Sequence, residues 1–153
     1  MNALRTIYRY WTSLVLLAVV VQIAFAAYGG FYAAQKLGDQ NGSEEQKMIS
    51  EKAFDHGFGV HTGLGYFIFL GAVVLFLLAL VARIGKRRVL WSLAVPIVVA
   101  LQIVLAWIGE SVHGLGLLRG LNALVVFGLT GWLTSQAWLE ARTPAVAPAA
   151  PAA

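Results

Sequence analysis

Two imidazoles, His56 and His61, lie in Phe54-Asp55-His56-Gly57-Phe58-Gly59-Val60-His61-Thr62-Gly63-Leu64-Gly65, among glycines at the mouth of a long apolar run. Such imidazoles ligate iron or a divalent cation, or join helices by hydrogen bonds. His61 is the stronger candidate: Gly65 follows one turn deeper, and Gly59 and Gly63 form a small-xxx-small pair that admits a second backbone or a flat ring. Its two readings are an axial ligand for haem iron and a hydrogen-bonding residue at a helix crossing. His113 joins the same end of the chain. If the third helix persists past Gly109, then Gln102, Ala106, Gly109 and His113 line one face; a loop histidine is the alternative. His56 reads as a boundary residue beside Asp55, and a divalent-metal site of His56, His61 and His113 fits no established ligand spacing. Arg119 snorkels to lipid headgroups, pairs with Glu110, or binds a cofactor carboxylate. Asn122, one turn along, and Gln22 and Gln102, deeper in, are expected to hydrogen-bond across the bundle.

The elements that position these residues are set by composition. The 153 residues are 59% hydrophobic and only 12% charged, with a mean hydropathy of +0.76, whereas soluble domains carry about a quarter charged residues. The apolar residues fall into four runs, about 10–34, 57–82, 89–110 and 117–139, each long enough for a hydrocarbon core that needs about 20 residues. The predicted fold is an all-α integral membrane protein, a four-transmembrane-helix bundle. Arg5, Arg9 and the triplet Ala24-Phe25-Ala26 also suit a signal peptide, but the apolar stretch continues past that site. The first run also echoes the third: Gln22, Ala26 and Gly29 match Gln102, Ala106 and Gly109 in register. A weaker match sets Phe69 against Phe127 and His61 against Arg119, so the chain reads as two parallel helical-hairpin repeats.

Between the first two runs, residues 35–55 form a polar outer loop. Within it Ser43-Glu44-Glu45-Gln46 has the form of a capping box opening a short surface helix. Pro96 is expected to free the carbonyl of Ser92. Trp11, Trp91, Trp107, Trp132 and Trp138 suit interface belts or lipid contact. Residues 143–153 make an Ala/Pro tail expected to be disordered. Cysteine is absent, which excludes disulfides, thiolate metal sites, iron-sulfur clusters and covalent c-type haem. No nucleotide-binding glycine loop, catalytic triad or zinc motif appears, so the partners expected are the lipid bilayer and a membrane protein or a second copy, not nucleic acid. Arg5, Arg9, Arg83, Lys86, Arg87, Arg88 and Arg142 fall on one side of the predicted topology. The positive-inside rule then makes both termini cytoplasmic.

Val21-Gln22-Ile23, Leu101-Gln102-Ile103, His61-Thr62-Gly63-Leu64-Gly65-Tyr66 and Leu121-Asn122-Ala123-Leu124 together resemble an uncharacterised family of small, chiefly actinobacterial four-helix membrane proteins. More distantly, residues 10–139 are similar to one four-helix half of haem A synthase. That resemblance implies a bacterial cytoplasmic membrane and a haem b held by histidines on the second and fourth helices. His61 stands at the second-helix place, but the fourth-helix place holds Arg119, which stays protonated and is no neutral ligand. On this resemblance, either His113 replaces the ligand or the haem role is gone. The functions expected are an accessory or structural membrane subunit, a b-type haem electron-transfer protein with His61 as ligand, and a metal or ion carrier.

Overall fold

A computed structural model of the chain describes residues 2–38, 44–109 and 114–142. It contains helices α1 (Asn2–Gly38), α2 (Glu44–Val81), α3 (Lys86–Gly109) and α4 (Leu115–Arg142). Each includes a segment long and apolar enough to cross a membrane: Ala3–Tyr32, Asp55–Val81, Lys86–Gly109 and Leu115–Arg142. The expected all-α four-helix membrane bundle is the fold that forms. α1 packs against α2 and α4, and α3 against α2 and α4, closing a square whose diagonal backbones stay apart.

Leu75, Val95 and Leu133 fill the middle, with Ala72, Ala79 and Val99 letting the helices approach. Large apolar side chains also cover the outside: Phe31 is 79%, Phe67 70% and Leu117 71% exposed. In water such a coat would be an association surface, but against lipid tails it costs nothing. Helical structure then follows from the solvent, because a span without water must satisfy its backbone groups internally.

The basic turn between α2 and α3 is tight. Arg83 takes a positive φ of 49° and Gly85 one of 98°, and the Gly85 carbonyl accepts from the amides of Arg88 and Val89, both at 3.1 Å. Glycine suits that backbone because it has no Cβ. At this end of the bundle Arg88 pairs with Glu140, and the Trp138 indole donates to the Ser13 hydroxyl at 2.9 Å. Trp11 donates its indole hydrogen to the Gly71 carbonyl at 2.9 Å. Trp11 and Trp138 therefore act as ties between helices, beyond the belt role expected of them.

The polar stretch 35–55 departs from the expected loop. α1 continues to Gly38 and α2 begins at Glu44 as one unbroken helix, not as a short surface helix followed by a span. No proline interrupts residues 35–55, so no residue there lacks the amide hydrogen that a helix needs. Ser43, the expected cap, and the tail from Thr143 lie outside the described residues. Pro96 sits inside α3 without ending it. One turn earlier, the buried Ser92 hydroxyl pairs with Tyr8 of α1 at 2.9 Å, a tie across one diagonal of the square.

Candidate functional site

α1 and α2 meet most closely where both present glycine. A Cβ on Gly29 would lie 2.8 Å from the Gly57 carbonyl oxygen, and one on Gly57 would lie 3.1 Å from that of Gly29. The small pair expected to make the crossing, Gly59 and Gly63, instead faces outward with nothing within 4 Å. Residue type alone does not reveal which side of a helix faces its neighbour, and Gly57 wins because Gly29 opposes it.

Just inside that crossing lies the polar cluster. Gln22 donates its side-chain amide to the backbone carbonyl of His61 at 2.7 Å. That bond sets the amide orientation, because the flipped oxygen would face another acceptor. On the imidazole, Nδ1 lies 3.1 Å from the Gln22 backbone carbonyl, and Nε2 lies 3.2 Å from an Arg119 guanidinium nitrogen. A carbonyl only accepts and a guanidinium only donates. Nδ1 therefore carries the hydrogen, Nε2 offers its lone pair, and the ring is neutral. Phe58 sets its ring edge-on to His61 at 6.0 Å. Gly65 leaves room for Gln22, since a Cβ there would lie 3.1 Å from the amide nitrogen.

Arg119 belongs to α4 and His61 to α2, so their contact crosses the second diagonal. Twenty residues separate His61 from Val81 on α2, about 30 Å of helix at 1.5 Å per residue. That equals the thickness of a hydrocarbon core, about 30 Å, which puts the cluster at the far edge from the basic turn. Tyr8–Ser92 spans one diagonal at the basic end, and His61–Arg119 spans the other at the opposite end.

A second polar pair lies on α3 and α4. Asn122 donates to the Gln102 side-chain oxygen at 2.7 Å and to the Val98 carbonyl at 3.0 Å. Each glutamine of the sequence echo thus reaches the even-numbered helix of its own hairpin, Gln22 at His61 and Gln102 at Asn122. Replacing Asn122 by alanine is expected to cost about 1 kcal/mol, as hydrogen bonds between membrane helices average about 0.6 and reach about 1.7 kcal/mol. Unfolding in mixed micelles reads this, and Gln102→Ala combined with Asn122→Ala should cost less than the sum of the two.

The remaining candidates disperse. His56 is exposed and tilts against the Tyr32 ring at 5.5 Å. His113 and Glu110 lie outside the described residues. Among the described residues no group of three or more His, Asp or Glu side chains stands ready for a metal ion. A haem ligand needs an open ring nitrogen, whereas both nitrogens of His61 are engaged and its Nε2 faces a permanent cation. This arrangement does not fit an axial haem ligand. The pairing of the Tyr8 and Ser92 hydroxyls escaped the sequence reading, which singled out only the Ser92 carbonyl that Pro96 frees.

The fold and the cluster define a small multi-pass helical membrane protein. Residues 53–110, which hold most of α2, the basic turn and α3, match a family of unknown function, DUF6220. No curated protein matches the chain, and no solved structure does.

Proposed function

We propose that this chain is an accessory or structural subunit of a bacterial cytoplasmic membrane, with both termini cytoplasmic, that docks another membrane protein or a second copy of itself and carries no catalytic centre. The observation that carries the proposal is the engagement of His61: an imidazole with Nδ1 on one helix and Nε2 on another serves as a joint between α1, α2 and α4. Gln102 and Asn122 serve α3 and α4 in the same way. The basic side chains of Arg5, Arg9, Arg83, Lys86, Arg87, Arg88 and Arg142 gather at the end shared by the start of α1, the α2–α3 turn and the end of α4, which supports a cytoplasmic placement of that end. Topology reporters fused after Arg142 should be active only inside the cell.

The competing assignment is a haem b on His61, which the distant likeness to haem A synthase suggests. It requires Arg119 to leave Nε2. Protein purified in detergent and incubated with hemin is expected to show no Soret band beyond that of free hemin, with or without dithionite. A band that vanishes in His61→Ala would establish the haem protein instead.

A further inference from the structure

Beside His61 is a buried acceptor with nothing to accept: the side-chain oxygen Oε1 of Gln22 has no hydrogen-bond partner. The neighbouring lone pair, in contrast, is oversubscribed. An Arg119 N–H group and the Gln22 amide nitrogen both converge on His61 Nε2, at 3.2 Å and 3.4 Å. Half a turn of the Gln22 amide exchanges its oxygen and nitrogen, so that the oxygen faces Nε2. Two acceptors then oppose each other as long as Nε2 is a lone pair. Once Nε2 carries a proton, the same oxygen accepts it, and the amide nitrogen takes the side on which the oxygen had no partner. The turn also gives up the amide bond to the His61 carbonyl, which the nitrogen meets at 2.7 Å, so the Gln22 side chain has to draw back from that oxygen as it turns; the carbonyl keeps the helical amide of Gly65. Arg119 has no place in this second arrangement, because a guanidinium only donates and would face an imidazolium of like charge.

We propose that Gln22, His61 and Arg119 form a proton-operated latch at the end of the bundle remote from the basic turn. With His61 neutral, Arg119 ties α4 to α2 across the diagonal. A proton taken from water at the adjoining face binds Nε2, Gln22 turns to accept it, and Arg119 is released to the headgroup layer. His61 and Arg119 are both half-buried, and about 30 Å of helix from the end of α2 sets them at the edge of the hydrocarbon core. Few other charges compete. α1 has no ionisable side chain at this level, with Tyr28 and Tyr32 lying beyond it; α3 has none from Val89 to Gly109; on α2, Asp55 and His56 precede His61 by more than a turn and Tyr66 follows it. Arg119 is the one charge in contact with the ring among the described residues. Glu110 and His113 lie outside them. The latch rests on His61 being free of haem, which the Soret band reads separately.

The chain has no cysteine, so paired spin labels report the diagonal without background. Val60→Cys and Leu118→Cys place labels on exposed positions of α2 and α4 beside the latch. In lipid nanodiscs the label separation is expected to lengthen in one transition as the pH falls from about 8 through the imidazole range, and to recover on return. In the His61→Asn background it should be independent of pH, whereas His56→Gln and His113→Gln should leave the response intact. A constant separation in the parent, or a response surviving His61→Asn, overturns the latch. A second measurement avoids altering the site: the chain has three histidines, so His56→Gln with His113→Gln leaves His61 as the sole imidazole for nitrogen NMR. The Nδ1–H tautomer is expected at about pH 8 and the imidazolium at the lower pH where the labels have separated. An Nε2–H tautomer at the higher pH, or a ring still neutral at the lower, overturns it equally.

Discussion

Valine at position 29 is expected to separate α1 from α2 and to destabilise the bundle by about 1–3 kcal/mol, the usual cost of forcing extra methyl groups into a packed contact. The first added carbon already meets the Gly57 carbonyl oxygen at 2.8 Å and the Phe58 ring at 3.0 Å. A carbonyl in a helix cannot swing aside as a flexible side chain would, so the helices themselves must part. Gly59→Val and Gly63→Val provide the contrast, because both positions open onto empty space. Unfolding in mixed micelles should rank Gly29→Val well below the other two. Equal losses at all three sites would mean that general helix propensity, not the crossing, dominates.

The second large effect is expected at His61, and it is asymmetric. His61→Leu removes the acceptor that Arg119 uses and the Nδ1 bond to α1 together. Hydrogen bonds to charged groups contribute about 1.5–3 kcal/mol; the lower end applies, since Arg119 is partly exposed and can turn towards headgroups. Arg119→Leu removes the charge along with the bond, leaving the Nε2 lone pair to the Gln22 amide nitrogen at 3.4 Å, on a ring still held by the Gln22 carbonyl. The histidine substitution should therefore cost more than the arginine one, and the double substitution less than their sum. Reversal of that order would remove His61 from its role as the joint between helices.

Polarity along the chain singled out several of the side chains that hydrogen-bond between helices, though not Tyr8 and Ser92. Gln22, His61, Gln102, Arg119 and Asn122 stand out because each is a strongly polar group inside an apolar run, and hydrocarbon makes such a group costly unless another group meets it. Which group meets it was not legible. Arg119 meets His61 across a diagonal, 58 positions away in sequence, and pairing at that distance depends on helix rotation and register that no local pattern encodes. The proximity of these two side chains also changes the chemistry: a histidine considered as an iron ligand has its accepting nitrogen directed at a cation.

What the sequence by itself determined is the number of membrane-crossing helices and the gathering of basic residues at one end, because both depend on how much apolar or charged matter each stretch carries. The tertiary structure alone decided that Gly29 and Gly57 make the close crossing, that Gly59 and Gly63 face outward, and that His61 is shared between helices. The physical reason is that lipid tails are as apolar as the bundle interior, so hydrophobicity drives every span into the bilayer but does not tell one helix face from another. Only backbone approach and hydrogen-bond geometry make that distinction, and both are properties of the assembled bundle.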